Sequence, residues 1–351
     1  MIAIVHLGEL PGTPLHDKEL GLVGVVGAAR ADLAALQSAG VDTIMFGNEN
    51  DRPYEFSVDT ASTATMAYVI GQLRDQITVP FGVNVLWDPR STIALAAATG
   101  AAFCREIFTG TYASDMGYWA PDAGSAMRYR KQLGRDDLFM LYNVSAEFAD
   151  SLDRRPLPDR ARSAVFSSVP DAVLVSGQIT GEAARMEDLE AVKVVLPDIP
   201  VLANTGVKHD TVAEVMRVAN GCIVGSSLKV DGDTWNAVDP DRARDFPERR
   251  SYKPNRPFLR NSFRHTSLQD RTLIQRSPRH IRGKPMVGPS MDRSLLCDGL
   301  FGMPYPQLLP SGYQLNSPQL AQITEGYEGA QCALCAEGFF RVSHYCTACP
   351  D

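Results

Sequence analysis

Residues 200–229 read PVLANTGVKHDTVAEVMRVANGCIVGSSLK, and the fold turns on how this stretch is understood. The apolar run 200–203 stops at the small polar trio Asn204, Thr205 and Gly206. Val212, Val215, Met216 and Ala219 then recur at helical spacing, and a second apolar run, 222–224, ends in Gly225, Ser226 and Ser227. That order is strand, helix, strand. Both strands end where glycine lets backbone N–H groups come close to an anion, with hydroxyl groups beside them. Thr205, Gly206, Gly225, Ser226 and Ser227 are therefore a candidate phosphate cradle. The same residues also suit tight strand-to-helix turns.

The alternation continues back to the first residues. Apolar runs at 2–5, 43–46, 81–86, 101–108, 138–144 and 172–175 are separated by helical patterns near 27–39, 59–75, 91–98, 122–133, 158–167 and 187–195. With the opening unit this makes eight strands, each followed by a helix, over about 250 residues. The expected fold class is α/β: a closed (β/α)8 barrel of TIM type, followed by an irregular, Cys-containing C-terminal tail. Even spacing without a GxGxxG turn favours closure over an open, doubly wound sheet.

Barrel chemistry sits at the carboxyl ends of the strands. His6 ends the first run, Asn48 and Glu49 the second, and Asn84 lies in the third with Asp88 just beyond it. Arg105 and Glu106 lie on the fourth, Asn143 and Glu147 at the fifth, and Ser176 at the sixth. Isolated buried polar groups cost about 1–3 kcal/mol each, so a ring of them points to a site. Helix capping and bonds across the mouth are the alternative for any one residue. Glu49, Asp88 and Glu106 are the candidate general acids or bases, with His6 to polarise or shuttle a proton. Asn48, Asn84, Arg105, Asn143, Ser176, Asn204 and Lys229 are candidate substrate contacts. Lys229 forms a Schiff base only if it points inward; pairing with a phosphate or with Asp231 is the simpler expectation. The oxygen-rich set could also hold a divalent cation, though no HxH or DxD spacing supports one.

Charge is unevenly spread over the 351 residues, whose net charge is −7. Residues 249–293 hold twelve Lys/Arg against two Asp/Glu, a surplus of +10, and 294–351 carry −4, which leaves −13 on 1–248. So acidic a body disfavours nucleic acid as a partner. No stretch has the roughly 18 apolar residues of a membrane span, and the start lacks a basic signal-peptide region. A cytoplasmic protein is expected, with peripheral membrane association as the alternative and a homo-oligomer compatible with the sequence.

Several ordered motifs together resemble the BtpA family, specifically its SgcQ-like branch. They are His6-Leu7 with Leu10-Pro11-Gly12, Phe46-Gly47-Asn48-Glu49 with Arg52-Pro53-Tyr54, and Pro80 through Asp88. Arg105-Glu106 with Thr109-Gly110, Asp115-Met116-Gly117, Val175-Ser176-Gly177, Asn204-Thr205-Gly206 and Val224 through Lys229 with Asp231-Gly232 complete the set. The resemblance covers about residues 2–246. It implies a phosphate-binding TIM-type barrel and leaves the reaction open. The family name implies a membrane-associated photosystem I biogenesis factor, whereas the SgcQ-like branch implies sugar utilisation. Two functions follow as expectations: a lyase, aldolase or isomerase acting on a phosphorylated sugar-like molecule, or a non-catalytic assembly scaffold.

The expected domains are the barrel at 1–248, a basic Pro/Arg-rich linker at 249–325, and a small Cys-rich segment at 326–351. That last segment holds Cys332, Cys335, Cys346 and Cys349, two CxxC pairs ten residues apart, which fits a tetrahedral zinc site. It also resembles an EGF-like or ephrin-receptor-like repeat, in which these cysteines would form disulfides. Both readings stay open at this point.

Overall fold

The computed structural model describes residues 1–246 and four short strands between 327 and 348. The first part contains β1 (Ile2–His6), α1 (Gly21–Ser38), β2 (Thr43–Gly47), α2 (Thr60–Leu73), β3 (Phe81–Asn84), α3 (Pro89–Thr99) and β4 (Phe103–Glu106). There follow β5 (Tyr112–Ser114), β6 (Gly117–Trp119), α4 (Ala123–Gln132), β7 (Phe139–Asn143), β8 (Ala149–Ser151), α5 (Leu157–Ser168) and β9 (Ala172–Val175). Last come α6 (Met186–Val195), β10 (Val201–Ala203), α7 (Val212–Val218), β11 (Gly221–Val224) and α8 (Pro240–Asp245). Eight strands close into a barrel in the order β1-β11-β10-β9-β7-β4-β3-β2, and every neighbouring pair is parallel. The expected (β/α)8 barrel is present.

Strand alternation explains the two cores. Ile2, Met45, Phe103, Leu141, Leu174, Leu202 and Ile223 point inward and fill the barrel. Ala3, Val5, Ile44, Phe46, Val83, Cys104, Met140 and Val173 point outward and pack under the helices. A strand buried on both faces reads as a continuous apolar run, so its sequence carries no polar alternation. Four helices begin at an aspartate whose carboxylate accepts from the first turn: Asp59 for α2, Asp88 for α3, Asp122 for α4 and Asp239 for α8.

Two features were not expected. Helix α1 begins at Gly21, well before the Ala/Leu pattern near 27, and has no side-chain cap. In addition, β6, β5 and β8 form a three-stranded antiparallel sheet built from the segments that follow β4 and β7. Phe56, Trp87, Tyr112 and Trp119 pack as an aromatic cluster there, with Phe56 and Trp119 stacked at 5.5 Å.

The linker expected at 249–325 lies outside the described residues. Near the end, β12 (Tyr327–Glu328) pairs with β13 (Leu334–Cys335), and β14 (Phe339–Val342) pairs with β15 (Tyr345–Ala348), both antiparallel. Cys335 and Cys346 fall on these strands, but their side chains, like Cys332 and Cys349, lie outside the described residues, and so does the zinc expectation.

A candidate active site at the barrel mouth

A cavity of about 820 Å³ opens at the carboxyl ends of the strands. His6, Glu49, Arg105, Glu106, Glu147, Asn204, Thr205, Gly206, Gly225, Ser226 and Ser227 all line it. Ten of these eleven are sequence-derived candidates. Glu147, noted only as a polar group at the fifth strand end and given no role there, proves central.

A chain of buried side chains crosses the floor. Glu106, at the end of β4, accepts from Asn84 Nδ2, from the Trp87 N–H at 3.1 Å and from the Ile107 N–H at 2.7 Å. Asn84 Oδ1 in turn accepts from Arg105 Nη1 at 2.6 Å, and Arg105 Nη2 donates to Glu147 Oε1, also at 2.6 Å. Asn204 Nδ2 donates to Glu147 Oε1 at 3.0 Å and to Ser176 Oγ at 2.6 Å, while Asn143 Nδ2 donates to that same hydroxyl at 2.8 Å. Asn84, Asn143 and Ser176 therefore do not line the cavity. Asn84 and Ser176 hold residues that do, and Asn143 holds Ser176.

Glu49 and His6 form a second group. His6 Nε2 lies 3.8 Å from Glu49 Oε1, and Nδ1 lies 3.4 Å from the Thr234 carbonyl. The Glu49 carboxylate folds back over Gly47, where any Cβ would collide with it. A side chain at Gly47 would therefore displace the Glu49 carboxylate from this position. Burial pulls the His6 imidazole below its ordinary value, against the raising effect of Glu49. Burial likewise pushes the Glu106 carboxyl up to about 7, although Arg105 and its three N–H donors favour the charged form. A carboxyl poised near neutrality facing a cavity is suited to give and take a proton.

Three buried polar atoms of lining residues lack a hydrogen-bond partner: Glu49 Oε2, Arg105 Nε and Asn204 Oδ1. Each represents an unmet desolvation cost of about 1–3 kcal/mol, more for the charged groups. A small side-chain shift that opened these atoms to the cavity would let a polar ligand meet it.

The expected cradle forms one wall of the cavity, together with Lys208, His209 and Arg242. Its hydroxyls already have partners. Thr205 Oγ1 accepts from the Gly177 N–H, Ser226 Oγ lies 2.6 Å from Thr234 Oγ1, and Ser227 Oγ donates to the Val207 carbonyl. Gly206 has φ +63°, and a Cβ there would overlap the backbone of Glu182 and Ala183. The turn explanation therefore accounts for Gly206. Backbone N–H groups and the Lys208 and Arg242 cations are what this wall offers an anion.

Beyond Asn84, Asn143 and Ser176, three more expectations need correction. Asp88 does not face the cavity. It accepts from the Ser91 N–H and hydroxyl and from the Val58 N–H, so it is the cap of α3. Asp88→Ala should cost about 0.5–2 kcal/mol in chemical denaturation and leave ligand affinity at the cavity unchanged. Lys229 does not line the cavity and is not paired with Asp231. It is 2% exposed, its ammonium donates to the Asn236 carbonyl at 2.7 Å, and it lies 3.4 Å from Asp32 Oδ2 on α1. Asn48 accepts from the Leu86 N–H at 2.8 Å and lines a separate, smaller pocket. With Asp88 committed to its helix, the proposed cation set does not converge, and no group of three or more His, Cys, Asp or Glu among the described residues is arranged to hold a metal.

The shifted Glu106 predicts a pH dependence. The fold retains this proton up to about 7, whereas the unfolded chain releases it near 4.5. Its contribution to stability is therefore present below that lower value and is lost as pH rises toward 7. Stability measured for wild type and Glu106→Gln should diverge in the variant's favour between pH 5 and pH 8, about a constant offset from one lost hydrogen bond. Parallel curves would count against the shift.

Eight parallel strands closed into a barrel, with a polar cavity at their carboxyl ends, define the general class: a (β/α)8 barrel with a mouth site. The chain belongs to the BtpA family, whose profile matches residues 1–251. It is 45% identical over 249 residues to the sgc region protein SgcQ of Escherichia coli K12, covering 71% of this chain and 93% of that protein. It is 32% identical over 251 residues to the photosystem I biogenesis protein BtpA of Synechocystis, covering 71% of this chain and 86% of that one. Among solved structures it is similar to a geranylgeranylglyceryl phosphate synthase from Thermoplasma acidophilum, with TM-score 0.45, 15% identity, and 70% and 91% of the two chains covered. A phosphoribosyl anthranilate isomerase from Thermus thermophilus gives 0.43 at 10% identity, with 70% and 95% covered. No helix among the described residues is long and apolar enough to cross a membrane.

Proposed function

We propose that the barrel is an enzyme of lyase, aldolase or isomerase type acting on a small, phosphorylated, sugar-like molecule. The observation that carries this is the floor of the cavity, where Glu106 is buried beside Arg105, Glu49 and His6 and three polar atoms await partners. Glu106 would transfer the proton at the reacting carbon. Arg105 would stabilise the oxygen on which negative charge develops, and Glu49 with His6 would serve the second proton. A Schiff-base route does not fit Lys229, which is held by Asp32 and the Asn236 carbonyl. The phosphate would rest against Gly206, Gly225 and Ser226, with Lys208 and Arg242 supplying positive charge.

The test is a thermal-shift screen with phosphate, sulfate and a panel of sugar phosphates. It is followed by NMR of the stabilising compounds in deuterated water. The expected result is stabilisation by at least one sugar phosphate and enzyme-dependent exchange of one of its C–H protons. Stabilisation by none of them would sink the proposal. The name of the Synechocystis relative keeps a second reading in view, a scaffold for assembly. A scaffold would bind its partner equally well with Glu106→Gln, whereas the enzyme would lose C–H exchange.

A further inference from the structure

Three carboxyl groups and one guanidinium share the cavity floor. Glu49, Glu106, Glu147 and Arg105 all line it, and none is more than 9% exposed. His6 adds no positive charge near neutral pH, because burial lowers its affinity for a second proton. Lys229 is buried nearby but is neutralised by Asp32 and lies outside the lining. With Glu106 protonated the floor carries one net negative charge; with Glu106 ionised it carries two. A ligand carboxylate seated there would lose its hydration and meet uncompensated like charge.

The unpartnered atoms state the same preference in hydrogen bonds. Glu49 Oε2 and Asn204 Oδ1 are acceptors and need donors, while Arg105 Nε is a donor and needs an acceptor. The Asn204 orientation is fixed, because its Nδ2 already donates to Glu147 and Ser176. A carboxylate has no donor to offer. A hydroxyl group has one donor and spare acceptor capacity, so hydroxyls suit both kinds of demand.

We infer that the part of the ligand seated over Glu49, Arg105 and Asn204 is an uncharged, hydroxyl-bearing carbon skeleton, that of a sugar or polyol and not of a sugar acid. This deepens the function proposed above and rests on that reading only for the phosphate at the other end. It specifies which phosphorylated compounds the site accepts.

Calorimetric titration of the full chain at pH 7.5 tests it with inorganic phosphate, glucitol 6-phosphate and gluconate 6-phosphate. The two organic probes have the same carbon count and differ at one terminal carbon, hydroxymethyl against carboxylate. Glucitol 6-phosphate should bind at least about tenfold more tightly than gluconate 6-phosphate, a modest demand for one unpaired charge in a partly desolvated site. Equal or tighter binding of the gluconate overturns the inference and leaves the phosphate reading standing. If no phosphorylated probe binds, the phosphate reading fails instead, and unphosphorylated glucitol and gluconate at millimolar concentration carry the discrimination. Preference for glucitol then supports the inference. No binding of glucitol in either form overturns it. Glu49→Gln removes one charge and should narrow the wild-type ratio by about tenfold. Its folding is checked by thermal unfolding, and the wild-type comparison stands without it.

Discussion

Arg105→Ala is expected to lower the stability of the barrel by about 3–5 kcal/mol, the usual result of removing one partner from a buried ion pair. The guanidinium joins β3, β4 and the segment after β7 through Asn84 and Glu147, at 2.6 Å on each side. Without it, Asn84 Oδ1 loses its donor, and the Glu147 carboxylate keeps only neutral donors from Asn204, Ser176 and Thr180. For a barrel of this size the melting temperature should fall by roughly 10 °C. Arg105→Lys should recover part of the stability and little of the ligand binding, since one ammonium on a flexible stem cannot reproduce the two-sided fork. A double-mutant cycle with Glu147→Gln isolates the pair. A coupling below about 0.5 kcal/mol would mean that the network does not act as a unit.

Gly206→Ala is the second large effect. The backbone there has φ +63°, and the added methyl would overlap the backbone of Glu182 and Ala183, which cannot rotate out of the way as a side chain could. Strain alone costs about 1–2 kcal/mol. Gly134 provides the control, with φ +67° and nothing within 4 Å of the point a Cβ would occupy. Gly134→Ala should therefore show the strain term only. Gly206→Ala should cost at least about 2 kcal/mol more in chemical denaturation, because displacing residues 179–184 also disturbs the Thr180 bond to Glu147. Thr180, Gly181 and Glu182 line the cavity, so its ligand should bind more weakly as well. Equal losses at the two glycines would show that the loop yields without cost.

The barrel could be read from the sequence because buried parallel strands announce themselves as apolar runs and surface helices by their periodicity. What escaped was local structure with neither signal. The strands of the antiparallel sheet are three residues each, too short to establish a period. The first turns of α1 contain Gly21, Gly24 and Gly27 and no capping side chain. At the site, strand ends were a sound guide to position and a poor guide to direction. Asp88 and Glu106 are both carboxylates near strand ends, yet one caps a helix and the other faces the cavity. Asp88 did carry a readable sign, since it precedes Pro89 and Ser91 in the pattern of a helix start. Glu147 had none. It lies beyond β7, next to Phe148 at φ +54°, and only the folded backbone turns it toward Arg105.

The buried pair of Lys229 with Asp32 spans 197 residues of sequence, and the Val238 N–H reaches the other oxygen of the same carboxylate across 206. The seam between β1 and β11 likewise joins the two ends of the barrel sequence. On the ribosome, then, the first strand and helix emerge long before the residues that complete them. A nascent chain ending before Lys229 holds the Asp32 carboxylate with neither partner, so this buried network forms only after the 229–238 segment has left the exit tunnel. The native surroundings of Asp32 on the first helix are thus completed by one of the last segments of the barrel to be synthesised.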